Sequence, residues 1–291
     1  AFPEIVPSGT VLGPLTEEVS DETGLRGVKV VATCSHDTGA AVAAVPAGTG
    51  EDWAFLSSGT WSLIGVELPA PLINDAIREA NFTNEGGYGG TTRFLKNIVG
   101  LWILQECRRD WERRGENRDY AELNRLASEA SPLRTLIDPD DARFLKPGDM
   151  PAKIQAFASE TGQPVPSTPG EFTRAILESL ALLYRSTLAS VEKLSGRGIR
   201  KLHIVGGGSQ SRLLNQFAAD ATGRLVIAGP VEATAIGNIL VQAIADRKLS
   251  SLEGLRETVR KSVPVAEFEP SGNPDWAAAF ARFEKIRSRK V

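Results

Sequence analysis

Asp37 is the side chain in this sequence best placed to accept a proton. It follows a short apolar run, Val28 to Ala32, and precedes a stretch of small residues, Thr38 to Val45, that reads as a helix. A carboxylate between a strand end and a helix start should stand at the mouth of a cleft, with the helix N-terminus favouring its ionised form. Such a group can take the proton of a substrate hydroxyl as that oxygen attacks. The same position also suits a helix N-cap, and the two roles can coexist. His36 can contact a ligand or share a proton with Asp37, or serve as a hydrogen-bonded filler.

Two further segments could hold phosphate. Ser57-Ser58-Gly59-Thr60 lies between two apolar runs, Trp53 to Leu56 and Trp61 to Glu67, and reads as a hairpin tip offering backbone N–H groups and the Thr60 hydroxyl. Leu202 to Val205, Gly206-Gly207-Gly208 and Ser209 to Asn215 read as a buried strand, a three-glycine turn and a helix. Glycines there let a flat or charged group approach the backbone donors near a helix N-terminus. The turn is neither G-x-G-x-x-G nor a P-loop, since no G-K-[ST] follows it. Together the two segments would grip both ends of a nucleoside triphosphate; separately, each is an ordinary turn.

The elements positioning these groups follow from periodicity. Phe94, Ile98, Leu101, Trp102 and Leu104 predict a helix from Arg93 to about Arg114, which puts Asn97 and Gln105 on one face, two turns apart. The arginines at 108, 109, 113 and 114, with the acidic residues near them, predict a solvated helical face, and Trp61, Trp102 and Trp111 read as core or interface residues. Helices are predicted over 120–129, 152–161, 171–194 and 233–246, with a strand over 225–227. Residues 2–13 read as a loop, 82–92 as loop or edge hairpin, and 131–170 as long loops around one short helix. Strands alternating with helices favour an α/β layer, and a composition shift near Gly50 marks a domain boundary.

Composition narrows the class. The 291 residues are 42% hydrophobic and 24% charged with a formal net charge of −3, which offers no basic footprint for nucleic acid. No apolar run is long enough to cross a membrane, and the opening residues lack the features of a signal peptide. With two cysteines, Cys34 and Cys107, and two histidines, a cysteine/histidine zinc site is not expected, and a cytoplasmic location with both thiols reduced is.

Taken in order, Ser35-His36-Asp37-Thr38, Ser57 to Ser62, Asn81 to Gly87, Arg93 to Trp102, Ile137 to Asp141, Gly206 to Gln210 and Gly229 to Ala233 resemble the FGGY carbohydrate kinases end to end. The closest likeness is to the branch acting on L-rhamnulose. The resemblance implies an actin-like, ribonuclease-H-like α/β fold, here as the tail of a first domain (1–50) and a complete second domain (51–291). It implies ATP and Mg²⁺ as cofactors, and γ-phosphoryl transfer to the 1-hydroxyl of the ketose. It assigns Asp37 as catalytic base; His36, Thr38 and Asn97 as sugar contacts beside it; and Gly59, Thr60, Gln105, Gly207 and Gly208 as ATP contacts. Family members begin with a glycine-rich, Asp-containing hairpin that contacts phosphate and metal. Nothing here corresponds to it, so this piece alone is expected to be inactive. A kinase for another ketose, such as L-fuculose or xylulose, and a non-catalytic nucleotide-binding module of the same fold are the alternatives.

Overall fold

The computed structural model describes residues 3–288; Ala1, Phe2 and residues 289–291 lie outside it. A two-stranded ribbon comes first, β1 (Thr10–Pro14) paired antiparallel with β2 (Lys29–Ala32) around the short helix α1 (Glu17–Thr23). Helix α2 (Asp37–Ala43) then leads into the main body: β3 (Trp53–Ser58), β4 (Trp61–Leu68), α3 (Asp75–Glu79), β5 (Thr83–Gly86), β6 (Thr92–Val99) and α4 (Trp102–Arg113). Three helices follow, α5 (Tyr120–Glu129), α6 (Met150–Glu160) and α7 (Pro169–Ser195). The chain closes with β7 (Lys201–Val205), α8 (Arg212–Thr222), β8 (Leu225–Ala228), α9 (Ala233–Ala245), α10 (Leu252–Ser262), β9 (Ala266–Phe268) and α11 (Asp275–Arg287).

The large sheet has seven strands in the order β5-β6-β4-β3-β7-β8-β9. Its central strands β3, β7 and β8 run parallel, which requires crossover connections and explains why helices cover both faces. Strand alternation divides the apolar residues between two cores. Ala54, Leu56, Ile64, Leu202 and Ile204 pack with α4, α7, α8 and α11, whereas Phe55, Leu95 and Val205 pack with α2, α9 and α10. Each fully buried Leu or Ile contributes about 1.5–3 kcal/mol.

Helix α7, 27 residues long, is the girder of the first core. Thr168 and Glu171 form a reciprocal capping box at its start, Pro169 opens its first turn, and Gly196 ends it in a left-handed conformation at φ 69°. On the opposite face α2 crosses α9 so closely that a Cβ on Gly237 would overlap the carbonyl oxygen of Ala40. The run of small residues in α2 thus serves close backbone approach to α9.

Three readings of the sequence need correction. The helix expected over 93–114 is strand β6 followed by helix α4. The spacing between Phe94 and Ile98 is four residues, which returns to the same face in a strand as well as in a helix, so periodicity could not separate them. Gly100 makes the break: a Cβ there would stand 2.5 Å from the carbonyl oxygen of Gly59. Secondly, the segment read as a loop through Gly13 contains β1, whose Val11 and Leu12 are exposed and whose ladder carries a bulge between Val11 and Gly13, so no burial pattern announces it. Thirdly, the charged face of α4 is only half solvated. Glu106 and Asp110 are buried, and their carboxylates accept from the backbone N–H groups of Gly148 (3.3 Å) and Met150 (2.6 Å), fastening the loop that leads into α6. Trp111 is core as expected, but Trp61 at the start of β4 is 50% exposed. No helix among the described residues is long and apolar enough to cross a membrane.

Candidate active site

The hairpin tip, the start of α4 and the three-glycine turn lock together. β3 ends at Ser58 and β4 begins at Trp61, leaving Gly59 and Thr60 as the tip. The carbonyl oxygens of Gly59 and Thr60 accept from Leu101 N–H (2.9 Å) and Trp102 N–H (3.1 Å), so the tip sits on the N-terminal end of α4. From the other side, Gly206 at φ 86° presses its Cα face on Ser58, where a Cβ would stand 2.9 Å from the carbonyl oxygen. A Cβ on Gly208 would overlap Ser58 Oγ. These two glycines are required by conformation and by contact respectively. Buried Asn215 on α8 holds the turn in shape by donating to the Ser209 carbonyl at 2.8 Å.

Beneath the hairpin tip the phenol of Tyr184 is completely buried, and burial pushes it up to about 12; the hydroxyls of Ser62 and Ser58, beside it, pull the other way. The hydroxyls of Ser58, Ser62 and Tyr184 are buried there without hydrogen-bond partners.

Between these parts opens a cleft of about 570 Å³. Gly59, Thr60, Gln105, Gly207 and Gly208, the five residues expected to contact nucleotide, all line it. Sequence reasoning missed Tyr120 and Asn124 on the facing helix α5, together with Leu101 just before α4 and Leu104 on it. Neither α5 residue belongs to a local motif; only the packing of α5 beside the turn brings them in, where Asn124 Oδ1 accepts from Ser211 Oγ at 3.4 Å. The lining suits an adenine nucleotide: apolar walls for a flat ring, a few amides and hydroxyls to orient it, and glycine backbone for phosphate.

Asp37 is separate from this lining. It is the first residue of α2, with His36 in the N-cap position and making no side-chain cap bond, so the N-cap reading of Asp37 does not hold. Its Oδ1 accepts from the Thr38 N–H at 2.7 Å, and the side chain is 73% exposed. Thr38 is buried. His36 Nε2 lies 3.1 Å from Asp37 Oδ1. A second groove, of about 730 Å³, opens beside His36 and is bordered by Cys34, Glu85, Gly87 and Arg93. Asn97, exposed on β6 opposite Leu63, does not share a helix with Gln105. It lies on the face of β6 that also carries Arg93, since strand residues alternate. Burial pulls the Arg93 guanidinium down from its ordinary value while Glu85 pushes it back up. Cys34 and Cys107 are free thiols, and burial raises both.

The chain belongs to the FGGY family of carbohydrate kinases: residues 54–245 match that family's C-terminal domain. It is 47% identical over 283 residues to the rhamnulokinase of Bacteroides thetaiotaomicron, covering 97% of this chain and 57% of that protein. It is 41% identical over 290 residues to the rhamnulokinase of Enterococcus faecalis, covering 99% and 58%. The chain thus spans a little under three fifths of these relatives. Among solved structures, xylulose kinase from Rhodospirillum rubrum superposes with a TM-score of 0.72 at 20% identity, covering 99% of this chain and 57% of that one. Plasmodium falciparum glycerol kinase with ADP superposes with a TM-score of 0.69 at 14% identity, covering 98% and 56%. These likenesses show the expected actin-like, ribonuclease-H-like α/β fold.

Proposed function

We propose that this chain forms the nucleotide-holding wall and the proton-accepting group of an ATP-dependent kinase whose sugar is L-rhamnulose. The observation carrying the reading is convergence: residues at 59–60, 105 and 207–208, far apart in sequence, line one cleft. The sugar identity is carried by the relatives, two of which, at 47% and 41% identity, are rhamnulokinases.

In this reading the adenine ring lies between α5 and the three-glycine turn, and the phosphates run toward Gly59, Thr60 and the start of α4. Asp37 takes the proton from the ketose 1-hydroxyl as that oxygen attacks the γ-phosphorus, with ADP as the leaving group. His36, Thr38 and Asn97 are assigned to the sugar side. Mg²⁺ would neutralise charge between the phosphates. Among the described residues no three His, Cys, Asp or Glu side chains gather as a cation site, and an ion carried on the phosphates needs only one or two carboxylates. We assign residues 1–50 to the end of a sugar-binding domain and 51–291 to the nucleotide domain. Phosphoryl transfer draws on preorganised charge from both sides of the substrate, so the chain alone is assigned nucleotide binding without turnover. The proposal includes a cytoplasmic location.

Gly207 tests the cleft. It is exposed, its φ lies outside the left-handed region, and a Cβ built on it meets nothing within 4 Å, so the added atoms would project into open space on the wall of the cleft. Gly207→Val is expected to leave the thermal midpoint unchanged and to weaken binding of a non-hydrolysable ATP analogue by at least about tenfold, roughly 1.4 kcal/mol. Titration calorimetry on the 291-residue chain checks this; unchanged affinity would move the nucleotide elsewhere.

A further inference from the structure

The start of α2, which bears Asp37, is tied to the edge of the large sheet through His36, Glu85 and Arg93. His36 Nε2 stands 3.1 Å from Asp37 Oδ1, and Nδ1 stands 3.0 Å from Glu85 Oε2. That same Glu85 oxygen lies 3.1 Å from Arg93 Nη1. Glu85 on β5 and Arg93 on β6 are direct partners in the antiparallel ladder, so their side chains leave the sheet on one face.

Arg93 gives this run its rigidity. It is 2% exposed, and its Nε and Nη2 both donate to the carbonyl oxygen of Gly86, at 3.1 and 3.0 Å. Gly39 on α2 makes room for it; a Cβ there would lie 3.4 Å from Arg93 Nη2. The contact of Nη1 with Glu85 is an ion pair without hydrogen-bond alignment. Strand pairing with Arg93 sets the Glu85 side chain beside His36, and the guanidinium's charge draws its carboxylate in. Glu85, in turn, leaves the half-exposed imidazole of His36 one orientation, with a carboxylate at each nitrogen. Every protein contact of Asp37's carboxylate, from the Thr38 N–H and from His36, falls on Oδ1.

We propose that Glu85 is a positioning residue for the proton acceptor. It fixes the ring of His36, His36 pins Asp37 Oδ1, and Oδ2 is left to take the proton of the sugar hydroxyl. This rests on the kinase reading above and adds a role that touches neither nucleotide nor sugar. Glu85→Ala frees the ring; Glu85→Gln keeps an acceptor oxygen for His36 and gives up only the charge.

In the complete polypeptide that carries this chain, Glu85→Ala is expected to lower kcat on the order of 10²-fold, as small misplacements of reacting groups do. The KM for ATP should be unchanged, and Glu85→Gln should recover most of the rate. Imidazole nitrogen NMR supplies the second readout, the His36 and His203 signals being assigned by their loss in His36→Gln and His203→Leu. The His36 Nδ1 signal should move in Glu85→Ala and stay near its original place in Glu85→Gln, while His203, fully buried in the sheet, stays fixed in both. Full kcat in Glu85→Ala, or an unmoved His36 signal, overturns the proposal, as does a His203 signal that moves with it, which would mark general disruption. A wild-type polypeptide that phosphorylates no ketose overturns the kinase reading instead and removes the pair's catalytic purpose; the His36 signal still reports whether Glu85 holds the ring.

Discussion

Replacing Asp37 by Asn in the complete polypeptide is expected to reduce sugar phosphorylation by about 10²–10⁴-fold, the range that a positioned general base contributes. Stability should change by less than about 1 kcal/mol, since only the favourable charge at the start of a short helix is lost. The size of the first effect beside the second follows from the geometry. At 73% exposure the side chain packs against little, and an Asn Oδ1 can still accept from the Thr38 N–H, the 2.7 Å bond that Asp37 makes. What Asn lacks is a basic oxygen. ATP affinity should be unaffected, because Asp37 does not line the nucleotide cleft. Initial rates, analogue binding and urea unfolding on the same preparations decide the matter. An active but less stable variant would mean that Asp37 serves only the start of α2.

Acid should destabilise the protein through His203, and an apolar replacement should remove that sensitivity. The ring is fully buried in β7, edge-on to Trp53 at 5.7 Å between centroids, and neither nitrogen has a hydrogen-bond partner. Burial pushes it down to about 4; nearby Glu51 opposes the shift, while Lys201 and Arg256 add to it. An unfolded chain holds this proton with the ordinary value of about 6.5. Between the two values the unfolded state binds more protons, so stability rises with pH across that window. The contribution is fully present above about pH 6.5 and is lost as pH falls toward 4, amounting to about 3 kcal/mol. His203→Leu has nothing to protonate and no unpartnered nitrogens to bury, so it should be at least as stable as the parent at pH 7.5. Its advantage should grow by about 3 kcal/mol down to pH 4. Parallel pH dependences for parent and variant would show that the ring is solvated or paired in solution.

The sequence announces some elements because one physical requirement dominates there. Leu202 to Val205 is apolar but for His203 because that strand is buried on both faces, and two of the three glycines after it, Gly206 and Gly208, are needed for close approach to Ser58. The long period of α7, with a capping box at one end and Gly196 at the other, is equally open to reading. Four-residue spacing hid β6, because it satisfies helix and strand alike. Glu106 and Asp110 look like surface charge and are buried because a distant loop brings its N–H groups to them. For the candidate site, glycine-rich and hydroxyl-rich turns were visible as segments, but their meeting in one cleft depends on strand order. Glu85 carried no spacing signal by itself. Pairing residues 83–86 with 92–95 as a hairpin would have set it opposite Arg93.

The most direct test of the account is to incubate the complete polypeptide with ATP, Mg²⁺ and each of L-rhamnulose, L-fuculose and xylulose, following ADP release and phosphorus NMR of the product. The account expects one ADP per sugar phosphate formed, with the phosphate on the 1-hydroxyl of L-rhamnulose and far slower turnover of the other two. Equal turnover of xylulose would contradict the sugar assignment, and ATP-independent or absent product would contradict the kinase itself.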